Sequence, residues 1–260
     1  MKLPAPEHSG AGSIVWTYCR EGRFAMSPEP SPREAWLQQV RTTWDERVQW
    51  WDEMSEQNAT APDRATDLDR TIDRLGLNPG DRIYDAGCGS GQFAIAFAER
   101  GFQVVASDIS PNMIERARQH AQNRSLSVDW RVGDLEDVLQ RSERFSAIHA
   151  RMSLQFVPDI AHALQRFERA LAPGGRLYTS VPGATSPIYN GIWRRFLSPD
   201  HRGMAYVTPW DLERLLQHFG WEILDQWSGD DLSADVVGGD EASLRINQAM
   251  AFTWAIVSSR

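Results

Sequence analysis

From residue 82 onward the sequence predicts a doubly wound α/β domain with a mostly parallel sheet. Three observations carry this. A short apolar strand, Arg82-Ile83-Tyr84-Asp85, runs into the glycine-rich turn Ala86-Gly87-Cys88-Gly89-Ser90-Gly91 and then into a helix opening at Gln92. Glycines let the backbone bend through positive φ and let a ligand approach the main chain, while a helix start offers free N–H groups. Strand and helix patterns then alternate as far as Val181, which calls for a sheet covered on both faces. Finally, 260 residues suffice for one sizeable core with additions, not for two ordinary α/β domains.

The chain divides into an arm (1–32), a helical cap (33–76) and the α/β core (77–260). The arm carries Pro4, Pro6, Gly10, Gly12, Pro28, Pro30 and Pro32 and reads as flexible, with only Ile14 to Tyr18 fit to dock. From Arg33 to Met54 the apolar residues Leu37, Val40, Trp44, Val48 and Trp51 step by three or four, predicting one amphipathic helix. A second helix follows Pro62, with Leu68, Ile72 and Leu75 on one side and Gly76 as its stop. Asn78-Pro79-Gly80-Asp81 turns the chain into the first core strand.

The predicted core elements are strand Ile83–Asp85, helix Gln92–Arg100, strand Gln103–Asp108 and helix Pro111–Gln122, then strand Val128–Val132 and a weaker helix from Leu135 to Gln140. Strand Ala147–Ala150, helix Asp159–Leu171 and strand Arg176–Val181 follow, with Pro173-Gly174-Gly175 between the last two. Helix Pro209–Phe219, strand Trp221–Gln226 and strand Ala251–Ser258 finish the domain, and two successive strands at the end imply an antiparallel finish.

Composition narrows the function. A formal charge of −8 argues against a nucleic-acid partner, which calls for a basic face. No apolar run is long enough to span a bilayer and no signal-type apolar stretch follows Met1, so a cytoplasmic protein is expected. Cys19 and Cys88 form no metal-binding or disulfide pattern, and no metal site is expected. Eleven tryptophans are many for this length, and they concentrate on either side of the α/β stretch, where an acceptor pocket would be flanked.

In open α/β sheets ligands bind beyond the carboxyl ends of the strands. Asp108, ending the second core strand, is placed to take two hydroxyl hydrogen bonds from a ribose, with Ile109 beside it; Met113, on the next helical turn, can lie against a flat base. Asp134, after Gly133 and before Leu135, could accept from an exocyclic amine, and the main chain at Ala150 and Arg151 could accept from an amino group. His149, inside its strand, reads as a packed, hydrogen-bonded histidine. The loop at about 182–208 holds Tyr189, Trp193, Arg194, His201 and Tyr206 and could roof an acceptor. With Trp51 and Gln155, the residues Tyr189, Trp193 and Arg194 are candidate acceptor contacts; His201 and Tyr189 are candidate proton acceptors.

The segments Asp85-Ala-Gly-Cys-Gly-Ser-Gly, Asp108-Ile-Ser-Pro-Asn-Met, Gly133-Asp134-Leu135 and Leu171-Ala-Pro-Gly-Gly-Arg-Leu resemble successive motifs of the class I small-molecule methyltransferases that use S-adenosylmethionine (SAM). The resemblance covers residues 82–181. It implies a Rossmann-like seven-stranded sheet with a reversed final strand, SAM as methyl donor and no required metal. It also implies roles: Asp85 and its neighbour Ala86 near the methionine portion, Gly87 and Gly89 against the cofactor backbone, Asp108 on the ribose, Asp134 and Leu135 at adenine. Where relatives that methylate quinones often read Leu-His-His-Val-Pro-Asp, this chain has Leu154-Gln155-Phe156-Val157-Pro158-Asp159. The acceptor is expected to be a small apolar or aromatic molecule and the protein a monomer or homodimer. Two other readings stay open: an NAD(P)-binding oxidoreductase, disfavoured by Gln92 where G-x-G-x-x-G requires its third glycine, and a SAM-binding module without turnover.

Overall fold

The structure, a computed structural model, describes residues 14–18, 24–28, 30–59, 62–135, 137–190, 203–228, 241–251 and 253–260. Within the stretch read as an arm, β1 (Ile14–Tyr18) and β2 (Phe24–Pro28) pair antiparallel as a separate two-stranded sheet.

The single helix expected from Arg33 to Met54 is two: α1 (Pro32–Glu46) and α2 (Val48–Ala59). Ser31 caps α1 by accepting from the Glu34 amide, and Glu34 reaches back to the Ser31 amide, which satisfies two of the open N–H groups of the first turn. At Arg47 the backbone leaves the helical region and its N–H bonds to Trp44 O, three residues back, tightening the chain into a turn. α3 (Pro62–Leu75) stops at Gly76 as expected, but it belongs to the core more than to a cap. Leu68 packs with Ile83 and Phe97, and Leu75 packs with Ala147, Tyr178 and Val257.

Seven strands form the main sheet: β3 (Arg82–Ala86), β4 (Gln103–Asp108), β5 (Asp129–Val132), β6 (Phe145–Arg151), β7 (Leu171–Pro182), β8 (Glu222–Ser228) and β9 (Thr253–Ser259), in the order β5-β4-β3-β6-β7-β9-β8. The first five are mutually parallel, and β9 runs antiparallel to both β7 and β8, so the expected reversed final strand is present. Between Phe145 and Ala147 the pairing with β7 jumps from Leu171 to Arg176, so Pro173-Gly174-Gly175 bulges out of the strand.

The intervening helices are α4 (Gln92–Glu99), α5 (Pro111–Gln122), α6 (Ile160–Ala170), α7 (Pro209–His218) and α8 (Glu241–Met250). Tyr84, Ile148, Leu164, Phe167, Leu212 and Leu216 fill the core on one face of the sheet, under α6 and α7. Ile83, Val104, Leu68 and Phe97 fill it on the other, under α3 and α4.

Two expectations need correction. No helix forms among the described residues from Leu135 to Gln140. There side chains satisfy the carbonyls: Tyr84 Oη donates to Leu135 O, Arg131 Nη1 to Val138 O and Arg166 Nη2 to Leu139 O, so no helical ladder is needed to pair them. Conversely, α8 was not foreseen, because Ile246 and Met250 point to solvent and blur its period; its anchor is polar, with Gln248 fully buried and donating to Glu213 Oε2 and Gln226 Oε1.

Candidate active site

The carboxyl ends of β3, β4, β5 and β6 open into one cavity. Its walls include Asp85, Gly87, Gly89, Asp108, Ile109, Met113, Asp134, Leu135 and Arg151, all expected from the sequence. Ala86 lies fully buried beneath it. The turn after β3 is shaped by what it must clear: a Cβ on Gly87 would stand 2.5 Å from Ser153 Cβ, and one on Gly89 3.0 Å from Trp51 Nε1, and both residues have positive φ.

Each carboxylate sits in its own setting. Asp108 accepts from Gly89 N at 3.0 Å and from Ser110 N at 2.9 Å. Burial nevertheless pushes its pKa up to about 6, with those two amides pulling the other way. A carboxylate has four lone-pair positions, so two remain for hydroxyl donors. Ser110, not Asp108, caps α5 by accepting from Met113 N. Asp134 takes a 2.7 Å hydrogen bond from Arg33 Nη2 on α1. Its loop is tied down by Tyr84, whose hydroxyl lies 2.6 Å from Ser107 Oγ as well as on Leu135 O, and burial raises that phenol well above its ordinary range.

Asp85 and His149 are neighbours on β3 and β6, register partners with Oδ1 and Nδ1 2.8 Å apart. His149 is packed, as expected: it stacks on Tyr178 with ring centres 4.6 Å apart and meets Phe93 and Phe97. Yet Asp85 Oδ2 and His149 Nε2 are buried and have no hydrogen-bond partner, as are Gln92 Oε1 and Ser153 Oγ, and all four residues line the cavity. Arg151 lays its guanidinium 4.9 Å from the Phe93 ring centre and 4.0 Å from Asp67.

The apolar lining comes largely from α1, α2 and the turn after β6: Leu37, Val40, Trp44, Trp51, Phe93, Met152, Phe156 and Val157. Trp44 meets both Trp51 and Phe156 edge-on at 5.5 and 5.2 Å, and Trp36 Nε1 donates to Phe156 O at 2.8 Å. Asp45 accepts from Ser110 Oγ at the start of α5, and Asp52 pairs with Arg116 further along the same helix. Leu37, Val40 and Trp44 belong to the stripe that predicts an amphipathic helix, and its spacing is the same whether the stripe faces a core or a ligand.

Other acceptor candidates lie elsewhere. Gln155, 1% exposed, does not line the cavity but braces it. Its Nε2 donates to Met152 O at 2.8 Å, and its own carbonyl accepts from Ala205 N at 2.7 Å. Met152, which lines the cavity, has φ of 52°, a strained conformation for a side chain of its size. Tyr189 is buried against Tyr206 and donates to Val207 O, outside the cavity, with its hydroxyl pKa pushed up by burial. Trp193, Arg194 and His201 lie outside the described residues.

A mostly parallel sheet ordered this way, with a glycine turn and carboxylates at the ends of adjacent strands, defines an α/β protein that holds a nucleoside-containing cofactor. Residues 60–226 match the family described as a methyltransferase domain, and the chain belongs to that family. It is 30% identical over 184 residues to a ubiquinone biosynthesis O-methyltransferase of Xylella fastidiosa, an alignment covering 68% of this chain and 74% of the relative. The fold is also that of the DhpI complex with S-adenosylhomocysteine (TM-score 0.59, 17% identity, 86% of this chain and 97% of that one) and of the [4+2]-cyclase SpnF (TM-score 0.60, 21% identity, 88% and 96%). The protein is a SAM-dependent methyltransferase. The residues present fit that cofactor: Asp108 keeps two acceptor positions free, the turn after β3 carries no side chain at Gly87 and Gly89, and unpartnered buried polar atoms belong to residues that line the same cavity.

Proposed function

We propose that this enzyme methylates an oxygen of a small apolar or aromatic molecule. The observation that carries the reading is that one cavity is lined both by Asp85, Asp108 and Asp134 at three strand ends and by the aromatic side chains of Trp44, Trp51, Phe93 and Phe156. SAM supplies a methyl group on a sulfonium, already activated for in-line displacement. The protein's part is then chiefly alignment and exclusion of water, and a flat acceptor held between aromatic edges loses few degrees of freedom on binding. Asp108 would hold the ribose and Asp134 the adenine amine; Leu135, Ile109 and Met113 would line the base. The name of the Xylella relative supports oxygen as the acceptor atom. The formal charge of −8 favours a small molecule over nucleic acid. A cytoplasmic setting, with a monomer or homodimer, completes the proposal.

The test is incubation with methyl-labelled SAM and a panel of phenols, catechols and hydroxyquinols, followed by mass spectrometry. Label on a phenolic oxygen supports the reading. Label only on amines or on an oligonucleotide overturns it.

A further inference from the structure

Ser153 opens the single 3₁₀ turn Leu154–Phe156 that follows β6. A serine in that place ordinarily turns its hydroxyl onto an amide of the turn it starts, and this one does not. The Phe156 amide donates instead to the main-chain oxygen of Ser153, at 3.0 Å. The residue is 6% exposed and lines the cavity, and its Oγ is buried without a hydrogen-bond partner. Buried hydroxyls are almost always paired, so an unused one beside a ligand cavity points to a partner that arrives with the ligand. Its place is firmly set. The Ser153 Cβ packs so close to Gly87 that a side chain there would meet it at 2.5 Å. Met152, just before it, is held in its strained conformation by donating its amide to Ser180 O and Oγ, both at 3.1 Å, and by accepting from Gln155 at 2.8 Å. Three residues further on, Phe156 meets Trp44 edge-on. Ser153 thus joins the glycine turn, where the methyl donor belongs, to the aromatic lining that would seat the acceptor.

We propose that the Ser153 hydroxyl donates a hydrogen bond to the oxygen that is methylated, and that this oxygen enters the reaction as a phenolate. This rests on the reading of an aromatic O-methylation and deepens it, narrowing the acceptor to an acidic phenol. Met152 and Phe156, beside Ser153 in the turn, and Trp44, against Phe156, carry no group that takes a proton. A serine hydroxyl is itself too weak a base to take one, but it donates readily to an anion, and a hydrogen bond to the charged form lowers the pKa of the bound phenol. The phenol proton passes to water. A lone pair of the phenolate oxygen then forms the new bond to the methyl carbon while the carbon–sulfur bond breaks and its electron pair returns to sulfur. Anion and sulfonium become a neutral ether and a neutral thioether, so the charges balance.

The experiment is spectroscopic titration of the full chain, saturated with S-adenosylhomocysteine, using two probes: 4-nitrophenol, whose anion absorbs visible light, and 4-nitroanisole, the same ring without an ionisable group. In the wild type the bound nitrophenol should ionise about one pH unit lower than in free solution, and its anion should bind about tenfold more tightly than nitroanisole. Ser153→Ala should abolish both differences while melting temperature and the affinities for S-adenosylhomocysteine and nitroanisole stay as in the wild type. Ser153→Cys, which keeps a weaker donor, should restore part of the shift, and it keeps the test open if Ser153→Ala fails to fold. An unshifted ionisation in the wild type, the same shift in Ser153→Ala, or an equal loss of nitrophenol and nitroanisole overturns the assignment. Failure of both rings to bind the loaded wild type overturns the aromatic-acceptor reading along with it.

Discussion

Asp108 carries the sharpest consequence of burial at a single residue. Its folded pKa of about 6 lies above the ordinary 3.8, so the protonated carboxyl suits the ligand-free fold better than the charged one does. The stability that this contributes is complete below about pH 4 and is lost as pH rises through 6. Ribose hydroxyls need the ionised form, so the cofactor works against that preference. S-adenosylhomocysteine affinity is therefore expected to rise with pH and level off above 7, being about tenfold weaker at pH 5 than at pH 7. Asp108→Asn should bind weakly with a flat profile, and a wild type with a flat profile would remove Asp108 from the ribose. Gln155 predicts a different pattern, because it touches Met152 and not the cavity. Gln155→Leu should relax the strained Met152 turn and reduce turnover about tenfold while cofactor affinity stays within twofold, as comparison of kcat with the binding constant will show.

At the scale of elements, the loop from β5 to β6 holds Asp134 and Leu135 in place although no helix forms among its described residues. Glu143 accepts from Arg82 Nη2 at 2.7 Å, from both Arg131 Nη atoms at 2.8 Å and from Gln140 N at 3.0 Å. The Arg131 guanidinium above all holds its pKa down at about 2, against the opposing cost of burial. A folded pKa below the unfolded value of 4.5 means stability that is present above about pH 4.5 and disappears as pH falls through 2. Glu143→Gln should cost about 3 kcal/mol at pH 7, measured by urea unfolding, and the gap to the wild type should close as the pH is lowered. A constant gap down to pH 2 would show that packing, not charge, is lost. None of this was legible beforehand. Arg82, Arg131 and Glu143 come from three separate stretches, and only the finished sheet brings them together.

At the scale of the molecule, what the sequence disclosed and what it hid divide along contact range. The glycine turn, Asp108 and Asp134 were readable because the end of a strand and the following turn are local patterns. The tryptophans before the α/β stretch read as flanking an acceptor pocket, but their pairing with the turn after β6, more than a hundred residues away, was not legible, since a helical stripe does not say what it will face. That pairing decides how the chain must work. α1 and α2 lie across the donor cleft, fastened by Arg33 to Asp134, Asp45 to Ser110, Asp52 to Arg116 and Trp36 to Phe156 O. α3 is fastened to the sheet instead, through Leu68, Leu75 and the bond from Trp227 Nε1 to Asp67. A protein lacking residues 1–57 keeps α3 and every strand of the seven-stranded sheet, so it should fold, with a lower melting temperature from the exposed flank of α5. It loses Leu37, Val40, Trp44 and Trp51, four of the residues that would seat an acceptor and shut out water. Turnover should fall by a hundredfold or more, whereas S-adenosylhomocysteine should still bind through Asp85, Asp108 and Asp134. Thermal unfolding, calorimetry and turnover of the one variant separate the cases: unimpaired turnover would refute a covering role for α1 and α2, and a variant that cannot fold would make those helices part of the core.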